Sequence, residues 1–77
     1  MKTEIRIPGL GAGMAEGTIT DWHVDNGGKI EQGDLLYTLE SEKTAQDVES
    51  PVTGVVQRIG TEGETYPVGE IIAIIEH

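Results

Sequence analysis

Sliding this 77-residue chain along itself by 37 positions lays Gly17-Thr18-Ile19 over Gly54-Val55-Val56 and Trp22 over Ile59. After a one-residue deletion the offset becomes 36, and the match continues. Gly27 meets Gly63, Gly33 meets Gly69, and Asp34 meets Glu70. Leu35-Leu36 then meets Ile71-Ile72, Leu39 meets Ile75, and Glu40 meets Glu76. A repeat of this length marks a duplicated supersecondary unit whose copies bury a shared core.

The units are built from strands. Ile5 and Ile7 alternate with polar neighbours, as do Trp22 and Val24, and Leu35, Tyr37 and Leu39. Val55 to Ile59 and Ala45 to Val48 follow the same rhythm, and Ile71 to Ile75 is apolar on both faces. Short runs of period two, rich in β-branched residues, are strands, and nothing sustains a helical period. Eleven glycines punctuate them, supplying the positive φ that tight turns need. Two matching halves of about four strands each predict an all-β fold. The economical way to bury both apolar faces is a flattened β-barrel or sandwich of two four-stranded antiparallel sheets with quasi-twofold symmetry.

Residues 1–77 make one domain, with no room for a second core. There is no cysteine, and the two histidines, His23 and His77, are far apart in sequence, so no disulfide or thiolate metal cage is expected. Fourteen acidic residues against five basic ones argue against nucleic acid and anionic membranes as partners, since both demand clustered cations. An acidic surface keeps a small domain soluble, and it also steers a carrier toward basic patches on its partners. No apolar run has the length of a membrane span, and no signal peptide is visible.

The repeat leaves residues 41–49 as the junction between the halves. A hairpin turn is expected at Ser41-Glu42-Lys43-Thr44, between the runs Leu35 to Leu39 and Ala45 to Val48. Lys43 is the lone cation there, framed by Glu40, Glu42, Asp47 and Glu49. A turn lysine is ordinarily only a solvated lysine. As a nucleophile it is poorly prepared: a free lysine titrates near pH ~10.4, and neighbouring carboxylates favour its charged form further. A lysine on an exposed tip suits a different role, in which another enzyme reaches and acylates it.

The residues resemble the lipoyl domains of the acyltransferase (E2) components of 2-oxo acid dehydrogenase complexes, within the biotinyl/lipoyl attachment family. The resemblance runs through Pro8-Gly9-Leu10-Gly11, Met14-Ala15-Glu16-Gly17-Thr18-Ile19, Trp22, Val24, Gly27 and Gly33-Asp34. It continues in Glu40-Ser41-Glu42-Lys43-Thr44, Ser50-Pro51, Gly54, Gly63, Pro67-Val68-Gly69 and the closing Ile-rich strand. It implies that Lys43 carries lipoic acid as an amide, with Glu40, Ser41, Glu42 and Thr44 presenting it. The domain is then a non-catalytic swinging-arm carrier, modified after translation by a lipoate ligase or by octanoyl/lipoyl transfer enzymes. Its arm serves a thiamine-dependent decarboxylase (E1), the acyltransferase core (E2) and dihydrolipoyl dehydrogenase (E3) of a 2-oxo acid or acetoin complex.

The same resemblance puts Leu10, Met14 and Glu16 in a loop beside the lysine that helps decide which decarboxylase is recognised; the competing role for Leu10 and Met14 is ordinary packing. Trp22 reads as core. The chain departs from the usual Glu-Thr-Asp-Lys-Ala turn at Ser41, Glu42 and Thr44, and Gly28 stands where an aspartate is common. Beginning at Met1 and stopping after the last strand suits the N-terminal module of a larger acyltransferase. The expected setting is the cytoplasm of a bacterium or archaeon, or the mitochondrial matrix after loss of a transit peptide, with the isolated domain a monomer.

The rival readings are a biotin carrier domain and a β module that binds a partner with Lys43 unmodified. Biotin carriers flank their lysine with methionines, whereas Glu42 and Thr44 flank this one. A hydrolase built on Glu40 and Glu42 needs a concave pocket, which a convex turn does not provide.

Overall fold

The computed structural model describes residues 1–9, 15–42 and 44–77. Its eight strands are β1 (Lys2–Arg6), β2 (Glu16–Trp22), β3 (Lys29–Ile30), β4 (Leu35–Glu40), β5 (Ala45–Glu49), β6 (Gly54–Arg58), β7 (Thr65–Pro67) and β8 (Ile71–Glu76). They form two four-stranded antiparallel sheets, ordered β1-β8-β6-β3 and β5-β4-β2-β7. Both sheets turn their apolar residues inward onto one core that includes Ile5, Ile19, Leu36, Leu39, Val56 and Ile75. No helix among the described residues is long and apolar enough to cross a membrane.

The expected symmetry is present down to single hydrogen bonds. Gly27 N–H donates to Val56 O, and Gly63 N–H donates to Ile19 O. Gly33 N–H donates to Ser50 O, and Gly69 N–H to Ile7 O. The four glycines with positive φ fall into the same repeat pairs: Gly27 and Gly63 at 83° and 89°, Gly33 and Gly69 at 91° and 93°. Exchanging the halves converts one sheet order into the other, with β5, β4, β2 and β7 replacing β1, β8, β6 and β3. Each sheet therefore draws two strands from each half. Neither half closes a sheet alone, which couples the two halves into one folding unit.

The structure corrects one detail of the repeat. Arg58 N–H donates to Asn26 Oδ1, and Trp22 N–H donates to Glu62 Oε1. Ile59 N–H donates to Ile72 O, and His23 N–H to Leu36 O. The structural partner of Trp22 is thus Arg58, and that of Ile59 is His23. The one-residue difference between the halves sits in β2. Its register against β4 shifts between Ile19 and Asp21, whereas β6 runs unshifted against β8. Thr20 is the extra residue, a β-bulge, and its hydroxyl donates to Thr38 O at 3.3 Å. Consistent with this pairing, Ile59 is 55% exposed.

A second register shift explains a burial pattern that simple alternation misses. Leu36, Tyr37 and Leu39 are buried while Leu35 is exposed, because β4 shifts against β5 between Leu35 and Tyr37. The repeat mate of this irregularity lies where Ile5 and Arg6 face Ala73 and Ile71, and there Ile72, Ala73 and Ile75 are buried.

At one point the core breaks the symmetry. Tyr37 occupies the position that is Ala73 in the other half, fully buried, with its ring 5.4 Å from that of Trp22. Its hydroxyl has no hydrogen-bond partner among the described residues, and burial pushes its pKa from 10.0 up to about 12. An unsatisfied buried hydroxyl costs roughly 1–3 kcal/mol. Tyr37→Phe is therefore expected to leave the melting temperature unchanged or raise it at neutral pH. The sign at alkaline pH follows from linkage. The wild type keeps its full Tyr37 contribution below pH ~10 and loses about 2–3 kcal/mol between pH ~10 and ~12, because only the unfolded chain ionises easily there. Tyr37→Phe does not make that loss. Urea titrations at pH 8 and pH 11.5 check this; equal alkaline losses in both proteins would refute it.

Candidate functional site

The junction segment forms as a hairpin. Glu40 and Ala45 are the last registered pair of β4 and β5, leaving residues 41–44 as the connection. Ser41 N–H donates to Thr44 O at 2.7 Å, and the Ser41 hydroxyl donates to the same oxygen at 3.3 Å. This double closure gives a glycine-free turn a defined base. Glu40, Glu42 and Thr44 are exposed, and Ser41 is half-buried. Lys43 lies outside the described residues.

Antiparallel pairing of Thr18 with Glu40 makes β2 begin at the end of the molecule where β4 finishes. Exposed Glu16 is therefore brought to the end that carries residues 41–44. Glu16 pairs with Pro67 on its other side, and Val68 N–H donates to Ala15 O at 3.0 Å. Gly9 also lies against Val68, so both flanks of the loop meet the chain just after β7. Leu10 and Met14 lie outside the described residues, and of that predicted trio the described structure locates Glu16 alone.

Pseudo-symmetry sets this hairpin against the chain ends. Its counterpart is the junction of β8 and β1, where His77 N–H donates to Met1 O and the Met1 ammonium donates to His77 O at 2.6 Å. Trp22 Nε1 donates to Gly60 O at 3.1 Å, so the C-terminal ends of β2 and β6 meet near the middle. Their first residues then diverge toward opposite ends of a molecule measuring 33 × 20 × 20 Å. Trp22 itself is half-buried against the core, with the Arg58 guanidinium 5.2 Å above its ring. It is a packing residue, as expected, although the repeat mate on which that expectation rested, Ile59, is exposed and the structural mate is Arg58.

One polar chain on this sheet was not foreseen. The Thr38 hydroxyl donates to Asp47 Oδ1 at 2.8 Å and so accepts from His23 Nε2 at 2.7 Å. It ties the end of β2 to the edge strand that returns from the hairpin. No sequence pattern signals it, because the three residues meet only through strand pairing and the bulge at Thr20.

Among the described residues no group of three or more His, Cys, Asp or Glu is placed to hold a metal. An open depression lined by Lys29, Glu31, Asp34, Thr53 and Gly54 lies toward the chain ends, away from the hairpin. The hairpin end thus combines a closed turn base with exposed Glu40, Glu42 and Thr44.

Known proteins share this design. The chain is similar to the dihydrolipoyllysine-residue acetyltransferase component of the pyruvate dehydrogenase complex of Staphylococcus aureus, at 36% identity over 99% of this chain. The corresponding Staphylococcus epidermidis protein is 35% identical over the same share. The chain spans 18% of the length of these relatives. The solution structure of the lipoyl domain of the 2-oxoglutarate dehydrogenase complex from Azotobacter vinelandii superposes with a TM-score of 0.81 at 25% identity, covering 96% of this chain and 95% of that one. The family model described as "Biotin-requiring enzyme" matches residues 3–75, nearly all of the two-sheet barrel, and the chain belongs to that family of biotinyl and lipoyl domains.

Proposed function

We propose that this chain is a lipoyl domain carrying lipoic acid in amide linkage on Lys43, as one module of a larger 2-oxo acid dehydrogenase acyltransferase in the bacterial cytoplasm. The observation that carries the reading is the hairpin base. Ser41 and Thr44 close a four-residue turn at the end of a rigid barrel, and the sequence offers one primary amine within it. Exposed Glu42 and Thr44 flank that amine, which suits an extended arm and fits neither a buried cofactor nor a methionine-flanked biotin site. The curated relatives, named as dihydrolipoyllysine-residue acetyltransferases, support lipoyl over biotin.

When attached, the lipoyl group supplies a redox-active disulfide that accepts and passes on an acyl group. The chain's own work is positional. The barrel keeps the turn clear of the core, and the β4–β5 pairing fixes the base from which the arm swings. Tethering such an arm makes successive transfers effectively intramolecular, with local concentrations of order mM. The proposed partners are a lipoate ligase or octanoyl/lipoyl transfer enzymes, a thiamine-dependent decarboxylase, the acyltransferase core and dihydrolipoyl dehydrogenase.

Intact mass after co-expression with a lipoate ligase tests the attachment, with a single lipoyl adduct expected. A wild-type chain that stays unmodified, or that takes biotin instead when a biotin ligase is supplied, would overturn the reading. Reductive acylation by decarboxylases for pyruvate, 2-oxoglutarate, branched-chain 2-oxo acids and acetoin then identifies the complex served.

A further inference from the structure

The two sheets are built on equivalent backbones yet carry opposite charge. The strands β5, β4, β2 and β7 bear Glu16, Asp21, Glu40, Asp47 and Glu49, all exposed, and no lysine or arginine. All four described cations, Lys2, Arg6, Lys29 and Arg58, are on the strands of the other sheet, where they outnumber its two acids, Glu4 and Glu76, which pair with Arg6 and Lys2. Register places the five acids on one outward face. Glu40 and Thr38 alternate with inward Leu39, Asp47 faces Thr38, Asp21 faces Thr38 across the bulge, and Thr18 faces Glu40 two residues beyond Glu16. Glu49 pairs with exposed Leu35 on the same side.

Pseudo-symmetry supplies an internal control. The mates of Asp21, Glu49, Ala45 and Thr65 are Gln57, Arg6, Lys2 and Lys29, as the pairings of β1, β3 and β6 show. Asp21 and Glu49 thus sit where the same backbone carries Gln57 and Arg6, so the fold does not require acids at those two positions, whereas the mates of Glu40 and Asp47 are themselves the acids Glu76 and Glu4. An excess of like charge on one face is self-repelling, even though no two of these acids are direct cross-strand partners. The acidic face is the one whose strands lead into and out of the Lys43 turn.

We propose that the outer face of the β5-β4-β2-β7 sheet is a docking surface for a lysine- and arginine-lined patch on the enzyme that acylates the arm. The proposal rests on the carrier reading for its choice of partner. Charge complementarity is the argument: a face with five acids and no described cation, adjoining the turn, orients the carrier during encounter and leaves the other sheet outward.

The test uses the unlipoylated 15N-labelled chain with each decarboxylase of the panel, so it does not depend on the adduct. Line broadening is expected at Asp21, Thr38, Asp47 and Glu49, sparing Lys2, Glu4 and Lys29, and weakening in high salt as screening shortens to ~3 Å at 1 M. Two double variants remove the same charge. Asp21→Asn/Glu49→Gln is expected to weaken binding about fivefold at low salt, while Glu4→Gln/Glu76→Gln on the other sheet stays within about twofold. The first double should also melt no lower than wild type, since it relieves repulsion. Equal losses from both doubles, broadening centred on the cationic sheet, or no broadening with any decarboxylase would overturn the docking surface. An unmodified Lys43 in the mass experiment would instead overturn the carrier reading.

Discussion

Gly54→Ala is expected to destabilise the domain by about 3 kcal/mol, lowering its melting temperature by roughly 15 °C. Gly54 opens β6 at the point where β6 pairs with both β3 and β8. A Cβ there would collide with the Glu76 carbonyl oxygen and come within 2.8 Å of Ile75 Cγ2. The first obstacle is backbone held in a ladder, so relief requires moving the end of β8 away from β6. That shift also strains the two-residue strand β3, whose Ile30 pairs with Gly54. For a domain of this size, total stability is about 4–12 kcal/mol, so the loss is a large fraction of the whole. Gly27→Ala is the informative comparison. Its φ of 83° disfavours a side chain, yet nothing lies within 4 Å of the added carbon, so the cost is about 1–2 kcal/mol of backbone strain. Thermal melts rank the two mechanisms, and a Gly54→Ala melt within a few degrees of wild type would show that the β6–β8 contact yields.

The contrast between those glycines shows which parts of the fold are legible before any coordinates. Gly27 is marked by its repeat mate Gly63 and by its place between strands; both are turn glycines with positive φ. Gly54 is marked only as an alignment anchor with Gly17, and its reason, contact with a strand 22 residues later, is a property of pairing. The bulge at Thr20 is a similar case. The repeat shows that one half has an extra residue, and hydrogen bonds are needed to say where. Placing it late pairs Trp22 with exposed Ile59; placing it at Thr20 pairs Trp22 with the arginine that caps its ring. Period-two reasoning likewise puts Leu35 beside Tyr37 and Leu39, and fails where the register against β5 shifts. Sheet charge was hidden for the same reason: Asp21 and Glu49 are 28 residues apart in sequence and share a face only through β4.

Around the hairpin, the position of the turn and its acidic frame are legible because they depend on neighbours in sequence, and Glu40 to Ala45 pair as expected. Of the three departures from the usual turn motif, Ser41 is the one whose side chain takes part in the closure, its hydroxyl donating to Thr44 O. Thr44 contributes through its backbone carbonyl, which explains how a residue larger than the usual alanine is tolerated there. The His23–Thr38–Asp47 chain has no such local signature, since each member comes from a different strand or strand end.

Lys43→Arg is expected to abolish reductive acylation to background while leaving the melting temperature within about 1–2 °C of wild type, as for a substitution of unchanged charge between exposed neighbours, here Glu42 and Thr44. Arginine keeps the positive charge among Glu40, Glu42, Asp47 and Glu49, so electrostatic steering toward a basic partner surface is preserved. What it removes is the primary amine, and a guanidinium does not deprotonate under these conditions to accept an acyl group. The variant thereby separates the two jobs assigned to this end of the molecule. Attachment should vanish in the intact mass, while line broadening on the acidic sheet by the decarboxylase should persist. An adduct retained on Lys43→Arg would move the modification to Lys2 or Lys29, both on the opposite sheet, and the arm would then swing from the face whose charge repels the proposed partner. Broadening lost along with the adduct would mean that docking is read from the lysine itself and that the sheet face contributes little. Loss of the adduct with docking intact is the result that assigns attachment to the Lys43 amine and docking to the acidic sheet face.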